Sequence, residues 1–168
     1  MCRAIHGASL RRPASTRGRQ RRVGFAQRCS TCHADRGQGL TAEWRATWPT
    51  THQNCSTSKC HGANHPEDGF ALPNNYAPAV IGPETLGRFS NALALHAYVA
   101  HAMPWSAPGT MPPDQYWAVV NFLLWANGYI DVPYGVTADN AANISLKTRP
   151  YPLPAFTPEA AGVIPIEK

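Results

Sequence analysis

Two cysteine pairs in this 168-residue chain are each followed at once by a histidine: Cys29-Ser30-Thr31-Cys32-His33 and Cys55-Ser56-Thr57-Ser58-Lys59-Cys60-His61. Nothing else constrains the fold as much, because each cluster ties two thiols and an imidazole to one point of the backbone. The first has the spacing of a c-type haem attachment signature. The second has the same parts, with four residues between the cysteines instead of two. Each thiol can form a thioether to a haem vinyl group, and the adjacent histidine then reaches the iron from one face. On this reading Cys29, Cys32 and His33 bind one haem c, and Cys55, Cys60 and His61 bind a second. His33 and His61 are the proximal ligands.

The rival reading is a four-cysteine zinc ribbon, since 22 residues separate Cys32 from Cys55 and two cysteine pairs can close a tetrahedral site. The histidines argue against it. Histidine is 7 of 168 residues, so chance sets one directly after both pairs roughly twice in a thousand. Four thiolates also leave a zinc site with no use for either ring. A pair of disulfides explains neither histidine.

The length suits one domain. Sixteen prolines and 13 glycines predict much loop and few long elements, which fits a core that is partly cofactor. No run of 18 apolar residues occurs, so no transmembrane helix is expected. The net charge of +5 is unevenly spread. Residues 1–22 hold seven arginines and no acid, leaving eight Lys+Arg against ten Asp+Glu in the rest. Such an arm could touch nucleic acid or an anionic membrane; the expectation is a basic disordered leader. Covalent haem attachment in bacteria is extracytoplasmic, yet residues 1–22 contain no apolar stretch of the roughly 7–15 residues an export signal needs. A start assigned in the wrong place is therefore expected.

Residues 23–28 read as a short helix entering the first motif. Residues 41–48 read as one or two helical turns stopped by Pro49, and residues 62–83 as irregular. Residues 84–103 predict a helix: Leu86, Phe89, Leu93, His96 and Ala100 recur at spacings of three and four, and Pro104 stops it. Residues 103–113 carry four prolines and a glycine and predict a stiff loop. A second helix is expected over 114–127, with Trp117, Val120 and Leu124 on one face and Asn127-Gly128 as its end signal. Residues 131–168 are expected to form a Pro-rich extension wrapping the surface. The five tryptophans are expected to pack in the core and against haem. Arg45, Lys59 and Arg88 are possible propionate partners, with surface solvation as the alternative.

Taken together, Gly24-Phe25 through His33, the loop opened by Met103-Pro104-Trp105, and the helix after Gln115-Tyr116-Trp117 resemble a class I cytochrome c over residues 23–130. The Cys55–His61 insertion resembles di-haem members. The resemblance implies a mainly α, small helical fold around covalently bound haem, with long irregular loops. It implies that the first and last helices cross, bringing Gly24 and Phe25 against Phe122. It also implies a methionine opposite His33. Met103 matches the family ligand and ends a helix at a proline; Met111, where related loops carry leucine, is the alternative. The second haem needs another ligand or none, and His96, then His65, are the candidates, with His52 and His101 also available. The expected function is electron transfer. The chain is expected to be an extracytoplasmic (periplasmic) di-haem cytochrome c relaying single electrons to or from a partner oxidoreductase, with no nucleic acid, no transmembrane segment and no catalytic residue. An open site at the second iron would make it a haem enzyme. The zinc alternative is a cytosolic module with a nucleic-acid-binding arm.

Overall fold

The structure, a computed structural model, describes residues 25–153. The arginine-rich leader, Gly24 and residues 154–168 of the extension lie outside them.

The fold is mainly helical. Helical residues 25–28 lead into α1, Ser30–His33, and Cys29 joins the two by a 2.9 Å bond from its N–H to the Phe25 carbonyl. Helix α2, Ala42–Arg45, is a single turn whose Thr41 side chain accepts the Trp44 N–H. Helices α3, Ala92–Ala102, and α4, Pro113–Ala126, are the two long elements. Short 3-10 turns occur at Thr50–His52, Pro73–Asn75 and Ala141–Asn143. Among the described residues there is no sheet, only one antiparallel bridge between Asn91 and Ser145.

Helix α3 is shorter than the periodicity over 84–103 predicts. Its N-cap is Asn91, in extended backbone, whose side chain accepts the Ala94 N–H at 2.9 Å. Upstream, Glu84 takes a φ of +43°, which a right-handed helix does not allow. Leu86 is nonetheless buried, so the apolar spacing before Asn91 reflects a folded turn packed on the core.

Helix α4 follows expectation. Pro113 occupies its first turn, where a missing N–H costs nothing, with Asp114 near the positive end of the dipole. It ends in a Schellman motif: Tyr129 N–H bonds the Leu124 carbonyl and Gly128 N–H the Trp125 carbonyl, with Gly128 at φ +73°.

Helices α3 and α4 pack on each other. The core takes Leu95 and Val99 from α3, and Val119, Val120, Phe122, Leu123 and Leu124 from α4. Phe25 packs on Phe122 with ring centroids 5.0 Å apart, so the start of the described chain meets the last long helix. The segment after α4 joins the core as well as covering it. Val136, Ala141 and Leu146 are buried, and the Asn121 side chain bonds both backbone groups of Val136. No helix among the described residues is long and apolar enough to cross a membrane.

Candidate functional site

A helical turn places residues i, i+3 and i+4 on one face. The helical bond from His33 N–H to the Cys29 carbonyl, 2.9 Å, therefore sets Cys29, Cys32 and His33 side by side. All three open into a cleft of about 650 Å³. Its far wall comes from Leu95 and Val99 of α3, Val119 and Leu123 of α4, and the loop residue Met103. The cleft is apolar and has the size of a cofactor site.

The His33 ring is fixed from behind. Its Nδ1 lies 2.9 Å from the Pro78 carbonyl. A carbonyl only accepts, so Nδ1 carries the hydrogen and Nε2 keeps a free lone pair. Burial lowers the His33 pKa, Arg88 adds to the shift and the Pro78 bond opposes it; the neutral, ligating form is favoured. Burial also pushes the Cys29 thiol up to about 12, reinforced by Cys32 and opposed by Arg28. Cys32 is raised too, by burial and then by Cys55. Both cysteines lie in an apolar wall. All four described cysteines are free, and no three His, Cys, Asp or Glu side chains among the described residues converge on a point that could hold a metal ion. The four-cysteine ribbon is not formed.

The second cluster is built from turns. His61 N–H bonds the Cys55 carbonyl at 3.1 Å, which closes the four-residue spacer into a loop. Ser56 anchors that loop: its N–H donates to Asn75 Oδ1 at 2.8 Å and its hydroxyl to the Leu72 carbonyl. The imidazole is fixed as His33 is, with Nδ1 3.1 Å from the Phe70 carbonyl, leaving Nε2 free. The Phe70 ring stacks on it at 4.1 Å and 29°. Beside His61 and Cys55 the cleft is only about 70 Å³, and Cys60 is exposed. A macrocycle here would lie on the surface, which two thioethers permit because covalent attachment does not need enclosure. Two nearby buried donors, Arg45 Nε and Trp48 Nε1, have no partner; Trp48 lines this cleft, and burial raises the pKa of Cys55 with Arg45 opposing the shift. A cofactor carboxylate is the kind of acceptor such donors lack. The donor set and cleft of the first cluster thus fit a c-type haem; at the second, Cys60 lies outside a cleft far smaller than a macrocycle.

The two clefts share a wall made of Cys32, Phe70 and Leu72.

The remaining candidates separate. Met103 lines the main cleft, while Met111 is buried in the core. Tyr116 ties the two together: its hydroxyl donates to the Met103 carbonyl at 3.1 Å and accepts the Met111 N–H at 3.2 Å. His96 and His65, the candidates for the second iron, line neither cleft. The His96 ring stacks on Trp117 of α4 at 3.7 Å. His65 bonds the Pro66 carbonyl through Nδ1 at 2.8 Å, beside its own loop. His52 and His101 are exposed. Arg88 lines the main cleft and lies over Phe89 and Tyr98. Trp105 is exposed, while the other four tryptophans are half-buried.

Sequence reading missed Pro78, Phe70 and Tyr116. Two act through backbone carbonyls, which carry no residue signature. The only trace of the third was a tyrosine at the start of an apolar helix.

No family model matches the chain, and no curated protein matches it. Among solved structures it is similar to the crystal structure of the sulfane dehydrogenase SoxCD from Paracoccus pantotrophus, with a TM-score of 0.47 and 22% identity. The match covers 76% of this chain and 52% of that one, so the chain spans about half the length of its solved relative.

Proposed function

We propose that this chain is a c-type cytochrome that relays single electrons between partner proteins outside the cytoplasm. One observation carries the reading: Cys29, Cys32, His33 and Met103 line one apolar cleft, with His33 Nδ1 committed to the Pro78 carbonyl. In this reading Cys29 and Cys32 anchor one haem and His33 Nε2 faces its iron. Met103, in the same cleft, would offer its sulfur as a second iron ligand. Cys55, Cys60 and His61 would hold a second haem at the surface. When bound, the haem supplies a reversible one-electron change at iron; the protein supplies ligation, burial and tuning of the potential.

The chain's own residues do the rest. The Pro78 and Phe70 carbonyls hold each imidazole in its ligating tautomer, as partners behind metal-bound histidines do. The hydroxyl of Tyr116 fastens the loop that presents Met103. Leu95, Val99, Val119 and Leu123 keep water from the main cleft. The partner is a redox protein or oxidoreductase complex, and the compartment is the periplasm or its equivalent.

The test is a pyridine haemochrome spectrum with intact mass, on protein exported behind a supplied signal peptide in cells carrying the cytochrome c maturation machinery. Two covalent haems per chain are expected. One haem would remove the second site, and none would overturn the reading.

A further inference from the structure

Asn127 reads in the sequence as the end of a helix, and the fold gives its side chain a second duty. It is fully buried, and its amide uses both donors and both acceptor positions. Nδ2 donates to the Val80 carbonyl at 2.9 Å and to the Leu123 carbonyl at 2.8 Å. Oδ1 accepts the Gly82 N–H at 3.0 Å and the Thr85 hydroxyl at 2.9 Å. The amide thus grips residues 80–85 and fastens them to the end of α4. Just before them lies Pro78, whose carbonyl receives the Nδ1 hydrogen of His33. Proline has no N–H, so the residues flanking Pro78 have to fix where that carbonyl points. On one side they are held by backbone alone: Leu40 N–H bonds the Ala77 carbonyl, and Val80 and Ile81 N–H both bond the Gly37 carbonyl. The approach is close enough to need glycine, since a Cβ at Gly37 would lie 2.6 Å from the Ile81 side chain and one at Gly39 2.7 Å from the Ala77 carbonyl. That loop is itself tied to His33, by the 2.9 Å bond from Gly39 N–H to the His33 carbonyl. It therefore cannot set the imidazole against the rest of the cleft. Asn127 can, because Leu123, whose carbonyl it holds, belongs to the far wall.

We propose that Asn127 is a positioning residue for His33: through residues 78–82 it sets the imidazole, backed by the Pro78 carbonyl, against the α4 wall of the main cleft. The inference rests on the reading of Cys29, Cys32 and His33 as a haem site. Asn127 does not line the cleft and acts only through the carbonyl behind the ring. A partner of that kind keeps a metal-bound imidazole in its tautomer and orientation and makes it a more basic ligand.

The test uses the full chain, exported and matured with haem, and haem content by intact mass is read first. The deciding signal is the Nδ1 hydrogen of His33 in the reduced protein, whose exchange with solvent is followed by proton NMR; the reduction potential is measured beside it. Asn127→Ala is expected to speed that exchange by roughly tenfold or more, since buried groups left unpaired carry a cost of that order. It is also expected to raise the potential, because a less basic imidazole stabilises iron(III) less. Asn121→Ala is the control. Asn121 is also buried, in the same helix, and its amide holds both backbone groups of Val136, a residue that lines neither cleft. Its loss is expected to lower the urea midpoint while exchange and potential stay at the parent values. An Asn127→Ala protein that exchanges as slowly as the parent overturns the proposal, and so does an Asn121→Ala protein that exchanges as fast as Asn127→Ala. If alanine prevents haem loading, Asn127→Asp repeats the comparison. It keeps the shape and the accepted bonds and loses the donors to Val80 and Leu123, and parent exchange there overturns the proposal equally. A parent chain with no haem on Cys29 and Cys32 removes the haem reading and this inference with it. A loaded parent with unchanged exchange in the Asn127 variants removes only this inference.

Discussion

Met103 and Met111 have the same side chain and opposite surroundings. Met103 faces the cleft, whereas Met111 is 6% exposed within the core. Met103→Ala is expected to lower the reduction potential of the first haem, because a thioether opposite histidine raises it, with little loss of fold stability. Met111→Ala is expected to cost about 2–5 kcal/mol, the usual penalty for emptying a core methionine, and to leave the potential unchanged. Redox titration and urea unfolding of both variants check the pair. His96 offers a separate test. Its Nε2 is buried without a partner, and burial lowers its pKa from the ordinary 6.5. The folded protein therefore binds this proton less readily than the unfolded chain. The stability that the neutral ring contributes is complete above the ordinary histidine range and is lost as pH falls through and below it. Urea midpoints measured from about pH 8 to about pH 5 should decline on the acid side, and His96→Leu should flatten that decline.

Elements show how much could be read in advance. The Cys29–His33 cluster was legible because its three groups lie within one helical turn, so spacing alone puts them on one face. Helix α4 was legible from Pro113, the apolar row through Val120 and Leu124, and Asn127-Gly128. The start of α3 was not. Leu86 and Phe89 continue its periodicity, but the chain there turns through a positive φ at Glu84; the signal was burial, which a packed turn shares with a helix. The true boundary is Asn91, and Asn91→Ala is expected to cost about 1 kcal/mol of stability, read as a lower thermal midpoint. The ring behind His61 was hidden for another reason. Phe70 lies in a stretch rich in Pro, Asn and Gly, where no periodicity announces which face a side chain takes. His96 shows the reverse hazard: the row through Leu93, His96 and Ala100 is not the buried face of α3, which is Ala92, Leu95 and Val99; Leu93 is exposed, and His96 meets Trp117.

Over the whole molecule, the main cleft of about 650 Å³ lies against the same residues that form the core. Filling it with a covalently held macrocycle replaces water with apolar contact along Leu95, Val99 and Val119, and such burial stabilises the folded chain. Protein produced without haem maturation is expected to unfold at lower urea concentration than matured protein, with a broader transition; circular dichroism of the two forms side by side decides it. Equal midpoints would mean that the cleft is not part of the cooperative core.

The pairing of Ser90–Ala92 with residues 144–146 also bears on the order of assembly. Ala92 N–H bonds the Ile144 carbonyl, Leu146 N–H bonds the Ser90 carbonyl, and Tyr129 adds its hydroxyl to the Leu146 carbonyl. More than fifty residues separate the two sides, so synthesis makes the beginning of α3 long before the segment that clasps it. A nascent chain that has emerged only through α4 holds its helices without that clasp. Whenever the chain folds from its N-terminal side, these bonds are the last to form, so the beginning of α3 stays unclasped until the tail after α4 is in place.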